Sequence, residues 1–156
     1  MPARSHHEAG FTLVEILAVL IIIGLMSAVV ILSIPRPDSP LKKQAQLMTG
    51  HINQLAQNGI ISGRVGAMGI SKDGYALYNH QDQDWHEIIS GEWDRGSRVR
   101  FKRENKNLEL PKEITPIILF QPTGLSTAFE LSLSDGGAQY IISGQGDGRV
   151  ALRVDE

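Results

Sequence analysis

The chain has 156 residues, with 15 Lys and Arg against 17 Asp and Glu and a formal net charge of −2. Mixed, nearly balanced charge excludes a general nucleic-acid footprint. The absence of cysteine excludes disulfide stapling and Cys–His catalysis, and sixteen glycines with few aromatics suit a turn-rich β domain.

A short polar leader ends at Gly10, and the apolar stretch Phe11–Ile34 follows. Its only ionisable side chain is Glu15, and its other interruptions, Thr12, Gly24, Ser27 and Ser33, are small or weakly polar. As a helix at about 1.5 Å per residue it would be roughly 36 Å long, enough to cross a hydrocarbon core of about 30 Å. A buried helix of a soluble domain would show a polar face, and this stretch has none. A secretory signal carries a shorter apolar run followed by an A-x-A-like cleavage site. Here the run is too long, and the small residue, Gly10, stands in front of it.

The segment Gly10-Phe11-Thr12-Leu13-Val14-Glu15 resembles the cleavage and methylation motif of type IV pilins and of the pseudopilins of type II secretion. That resemblance implies a prepilin peptidase cutting between Gly10 and Phe11, N-methylation of the new Phe11 amine, and an apolar helix kept on the mature protein. Glu15 also has a physical rationale. An acid inside a spanning helix costs about 2.5–3.5 kcal/mol on insertion scales, so it is normally paired or functional. Cleavage would create an ammonium at Phe11, and the pair would sum to zero charge. Within one helix the two groups pair locally, much as i,i+4 residues do; in a bundle, Glu15 meets the amine of a neighbour. The resemblance implies the second arrangement, which sets subunit register. Flanking charge does not decide topology: Arg4 stands on one side, and Arg36, Lys42 and Lys43 on the other. The family resemblance implies a cytoplasmic N-terminus.

Pro35, Pro37 and Pro40 predict a kink or break where the helix leaves the membrane. Ser39 is an N-cap candidate with Pro40 at the first helical position. Leu41, Ala45, Met48, Ile52, Leu55 and Ala56 then recur at helical spacing, predicting an amphipathic helix that ends at Asn58-Gly59. Beyond Ile60 the pattern turns to strands: Arg64–Ser71 and Tyr75–Asn79 around a Lys72-Asp73-Gly74 turn, then Trp85–Ile89, Arg98–Arg103, Leu108–Leu110, Ile117–Gln121, Ala128–Leu133, Gln139–Ser143 and Arg149–Val154. Close spacing favours antiparallel pairing. The expected fold is α+β, with a long N-terminal helix packed on a C-terminal antiparallel sheet or sandwich. The expected domains are a leader (1–10), a transmembrane helix (11–34), a linker with a periplasmic amphipathic helix (35–59) and a periplasmic β domain (60–156).

Asn58–Gly63 and the block Ile117–Leu131, which contains Phe120-Gln121-Pro122-Thr123-Gly124 and Thr127-Ala128-Phe129-Glu130-Leu131, are similar to segments of the H-type minor pseudopilins. Residues 79–113 match no pattern of that group.

Other constellations favour structure over chemistry. His80, Asp82, Asp84 and His86 alternate at period two, yet same-face residues on a strand lie about 6.7 Å apart, too far for one metal. Asn79–Asp84 is expected to be a polar loop. Gly144–Gly148 lacks the helix and lysine of a phosphate loop and is expected to be a tight hairpin. Arg95, Arg98, Arg100, Lys102 and Arg103, near Trp93 and Phe101 and mixed with acids, are expected to form a solvated face.

The resemblance implies a non-enzymatic minor pseudopilin near the tip of the type II secretion fibre, supporting export of folded proteins across the outer membrane. It would sit in the inner membrane as a single-pass protein with its β domain in the periplasm. The implied partners are the major and other minor pseudopilins, the prepilin peptidase, the inner-membrane assembly platform and secreted proteins. No cofactor, metal or nucleic acid is expected. Two rival readings are a type IV minor pilin that binds DNA and a membrane-anchored periplasmic enzyme.

Overall fold

The computed structural model describes residues 13–33 and 39–155, with side chains for 13–27 and 39–155. The chain divides into two units, Met1–Pro37 and Asp38–Glu156. The first contains α1 (Leu13–Ser33), a helix of 21 residues. Residues 34–38, which carry the predicted proline kink, lie outside the described residues.

The second unit opens with α2 (Pro40–Ser62). Ser39 caps it as predicted: its side-chain oxygen accepts the Lys42 N–H at 3.1 Å, and Pro40 occupies the start, where a missing N–H costs nothing. The predicted stop at Asn58-Gly59 is one turn too early. The helix runs to Ser62 and ends on Gly63, whose φ of 69° is the left-handed cap conformation glycine favours. Gly59 is buried inside the helix, where an added Cβ would come within 2.9 Å of the Arg64 carbonyl oxygen. Its glycine therefore serves close packing. Leu41, Ala45, Met48, Ile52, Leu55 and Ala56 are all buried, as their spacing predicts.

Among the described residues nine strands make two antiparallel sheets. The first has the order β3-β2-β1-β6, formed by β1 (Gly66–Ile70), β2 (Gly74–Gln81), β3 (Asp84–Glu92) and β6 (Thr115–Phe120). The second has the order β5-β4-β7-β8-β9, formed by β4 (Arg98–Arg103), β5 (Lys106–Leu108), β7 (Phe129–Ser134), β8 (Gln139–Gly144) and β9 (Val150–Asp155). Helix α2 touches β1 and β6 of the first sheet and β7, β8 and β9 of the second. One core joins the three layers: Met48 and Ile52 from α2, Met68, Leu77 and Phe120 from the first sheet, and Phe101, Leu131 and Ile142 from the second. Phe120 and Phe129 meet edge to face across the sheets, with centroids 6.4 Å apart.

The β1–β2 turn falls where Lys72-Asp73-Gly74 predicts it. Ser71 organises it, its hydroxyl oxygen accepting the N–H groups of Asp73 and Gly74 at 3.2 Å each. Two tight turns escape the sequence patterns. The expected polar loop Asn79–Asp84 is instead a hairpin: β2 continues to Gln81, β3 begins at Asp84, and Asp82 and Gln83 take φ of 53° and 72°. Glu104 and Asn105, at φ of 49° and 64°, join β4 to β5 in the same manner. The fifth strand accordingly lies at Lys106–Leu108 and not at Leu108–Leu110.

Candidate functional site

On α1, every described large apolar side chain is substantially exposed, from Leu13 at 83 % to Leu20 at 62 % and Ile16 at 50 %. The apolar surface runs round the helix with no polar side to present to water. Its described hydroxyl is satisfied internally, Ser27 Oγ donating to the Ile23 carbonyl at 2.8 Å, so it imposes no polar group on an apolar surround. Glu15 stands in the first turn of this helix. Gly10 and Phe11, the predicted cleavage and methylation residues, lie outside the described residues. The expected 11–34 span also extends past the described side chains, which stop at Ser27; among the described residues no helix is long and apolar enough to cross a membrane.

At the far end of α2 the Phe120–Thr127 block does structural work. The Gln121 N–H donates to the Leu125 carbonyl at 2.7 Å, and the Ser126 N–H donates to the Gly146 carbonyl at 2.9 Å. The Gly148 N–H donates to Ser126 Oγ at 3.3 Å. This ties the β6–β7 connection to the Gly144–Gly148 turn. The approach is so close that a Cβ on Gly148, which has φ of 75°, would lie 2.5 Å from the Gly124 carbonyl oxygen. Asn53 of α2 locks the pair to the helix: its amide donates to the Val150 carbonyl at 2.9 Å and accepts the Val150 N–H at 3.1 Å. A cavity of about 240 Å³ opens here, bordered by Ile60, Leu125 and Gly124. Gly144–Gly148 leads into β9, which is the hairpin reading.

The alternating His80, Asp82, Asp84 and His86 do not share a strand. The turn at Asp82-Gln83 folds them apart, with His80 opposite Trp85 and His86 opposite Asn79. Among the described residues no three His, Asp or Glu side chains are placed to hold a metal.

The basic cluster also divides. Arg98 and Arg100 are exposed on one face of β4, Lys102 on the same face bonds Glu130 at 2.6 Å, and Phe101 is buried on the other. Trp93, expected beside a solvated face, belongs to the core. Its ring lies 5.2 Å from that of Tyr75, and its Nε1–H donates to the Ser71 carbonyl at 2.9 Å. That contact pins the end of β3 to the β1–β2 turn. Burial raises the Tyr75 hydroxyl above the usual tyrosine range. Tyr78 is raised too, by burial and then by the Glu87 carboxylate. Sequence reasoning missed Asn53, a polar residue half-buried on α2, and Ser132, which is buried although it stands on the outer face of β7.

Comparison with known proteins bears on these features together. A family model for the prokaryotic N-terminal methylation motif matches residues 5–34. Type II secretion system protein H of Aeromonas hydrophila is 27% identical over 179 aligned residues, spanning 98% of this chain and 97% of that protein. The minor pseudopilin EpsH from the type 2 secretion system of Vibrio cholerae superposes with a TM-score of 0.61 at 19% identity, covering 74% of this chain and 97% of that one. A second EpsH crystal structure gives the same TM-score at 18% identity, over 72% of this chain and 92% of its own. At those identities the superpositions speak for the fold alone. The methylation motif, the near full-length relative and the shared α+β fold make the chain similar to the H-type minor pseudopilins of type II secretion.

Proposed function

We infer that this chain is a minor pseudopilin, a structural subunit near the tip of the type II secretion pseudopilus that supports export of folded proteins across the outer membrane. The observation that carries this reading is the relative named type II secretion system protein H, which aligns over nearly the whole of both chains, with the methylation motif at residues 5–34. Relatives of this kind are structural pseudopilins.

The chain is anchored in a membrane with its second unit facing the periplasm. We place the anchor in the inner membrane as a single span over 11–34. Its partners are other pseudopilins and the prepilin peptidase. The finer set is the major pseudopilin, the assembly platform and secreted proteins. The peptidase cuts between Gly10 and Phe11, and the Phe11 amine is methylated. The exposed apolar side chains described on α1 are covered first by lipid and then by neighbouring helices in the fibre, so both states keep them out of water. Glu15 marks the register: its carboxylate is costly in hydrocarbon, and a neighbour's Phe11 ammonium removes that cost.

The test is Glu15→Ala, with fibre assembly and exoprotein secretion both measured. Membrane insertion is expected to persist, while assembly and secretion fall at least about tenfold, as for loss of a buried charge pair. Undiminished secretion would contradict the assembly role.

A further inference from the structure

The outer face of the second sheet carries an unused recognition surface. Strand register places Arg98 beside Ser134 and Arg100 beside Ser132, and Ser134 beside Gln139. These residues alternate with Phe101, Leu131 and Leu133, which are buried on the opposite face. Lys102, next in the basic row, is neutralised by Glu130. Arg98 and Arg100 are exposed and make no hydrogen bond or ion pair among the described residues. Between them and Gln139 lies Ser132, only 7 % exposed, whose hydroxyl has no partner among the described residues. A cleft of about 60 Å³ is lined by Arg98, Arg100, Ser132, Ser134 and Gln139. It opens along β4 into a larger hollow reaching Lys72, where β5 no longer pairs with β4 beyond the Phe101–Leu108 register.

We propose that this face docks an extended acidic segment of a partner protein. The guanidinium groups of Arg98 and Arg100 receive carboxylates on alternate residues of that segment, and Ser132, Ser134 and Gln139 donate to the same oxygens. Three features fit that occupant. Same-face residues on a strand repeat about every 6.7 Å, so two arginines two residues apart match acids two residues apart on an extended partner. Guanidinium is the cation whose planar fork fits carboxylate bidentately. The hydroxyls of the cleft add donors that an oxyanion can use and an apolar partner cannot.

Nucleic acid fits less well. A single strand binds through aromatic platforms on which its bases stack, and the nearby aromatics Phe101 and Tyr140 are buried on the inner side. Glu130 and Asp155, also on the outer face, are each paired with a cation, Lys102 and Arg153, so neither acid bears on the choice of occupant. This inference rests on the face itself and not on the fibre reading.

The test uses the full chain in neutral detergent and fluorescence anisotropy of a labelled peptide with Glu at alternate positions. Binding is expected to weaken with added salt. R98Q/R100Q is expected to lower affinity at least about tenfold, and R98K/R100K by an intermediate amount, because lysine keeps charge without the fork. Lys43→Gln on α2 should leave binding unchanged. A peptide with Gln in place of each Glu leaves the protein untouched and should bind at least about tenfold more weakly. The proposal is overturned if the Glu peptide fails to bind, if the Glu and Gln peptides bind alike, if R98Q/R100Q binds as the native chain does, or if an oligothymidylate of equal charge binds more tightly.

Discussion

Helices α1 and α2 have nearly equal length, 21 and 23 residues, and opposite relations to the fold. The six apolar side chains of the α2 stripe are buried against two sheets. The large apolar side chains described on α1 are 47% to 83% exposed. Burying a Leu, Ile or Met side chain contributes about 1.5–3 kcal/mol. For α2 that stabilisation belongs to the folded domain. For α1 it must come from whatever covers the helix, lipid or another chain. The difference separates a helix that holds a domain together from one whose described apolar side chains are left open.

The largest effect should appear when the same truncation is made in each helix. Met48→Ala removes a fully buried side chain and should cost about 2–5 kcal/mol of domain stability in urea unfolding. Leu20→Ala, on an exposed position, should leave that midpoint within about 0.5 kcal/mol of native. Equal losses would erase the distinction between the helices.

A smaller effect tests how α2 is fastened. Asn53→Ala deletes both bonds to the Val150 backbone and leaves those groups part-buried. A loss of about 1–3 kcal/mol is expected, with faster hydrogen exchange at the Val150 amide. Unchanged exchange there would mean that apolar packing alone holds β9 to the helix.

The smallest concerns pH. Burial raises the folded-state pKa of Tyr75 above its unfolded value. The neutral phenol is thus favoured by folding. Its contribution is complete below about pH 10, the unfolded value, and declines as pH rises through the folded value. The urea midpoint should therefore fall more between pH 8 and the alkaline range in the native chain than in Tyr75→Phe. Parallel declines would show that Tyr75 does not carry the alkaline loss.

Much of this architecture was legible from residue spacing because the signals were local. The α2 stripe, its Ser39 cap, the Arg98–Arg103 strand and the Lys72–Gly74 turn each rest on neighbours a few residues apart. The misreadings have separate physical causes. Asp82-Gln83 and Glu104-Asn105 turn through left-handed backbone without a glycine, so only a lone Asp82 and a lone Asn105 hinted at them. Gly59 looked like a helix stop because a glycine's need for space, set by the Arg64 carbonyl, cannot be told from a need for positive φ in one sequence. Trp93 sat among charges in the chain but packs on Tyr75 in space. At the site, Glu15 was legible from its isolation in an apolar run. The pairing of Arg98 and Arg100 with Ser132 depends on the β4–β7 register, which spans about thirty residues of sequence and leaves no local trace.

The central claim is that a processed, all-apolar helix carries this subunit from membrane to fibre. Mass spectrometry of the N-terminal peptide of the native protein, purified from membranes of its host, tests it most directly. The account predicts a chain beginning at N-methylated Phe11 with the residues through Ile34 retained. A native chain that begins at Met1, or one that has lost the Phe11–Ile34 stretch, would contradict it.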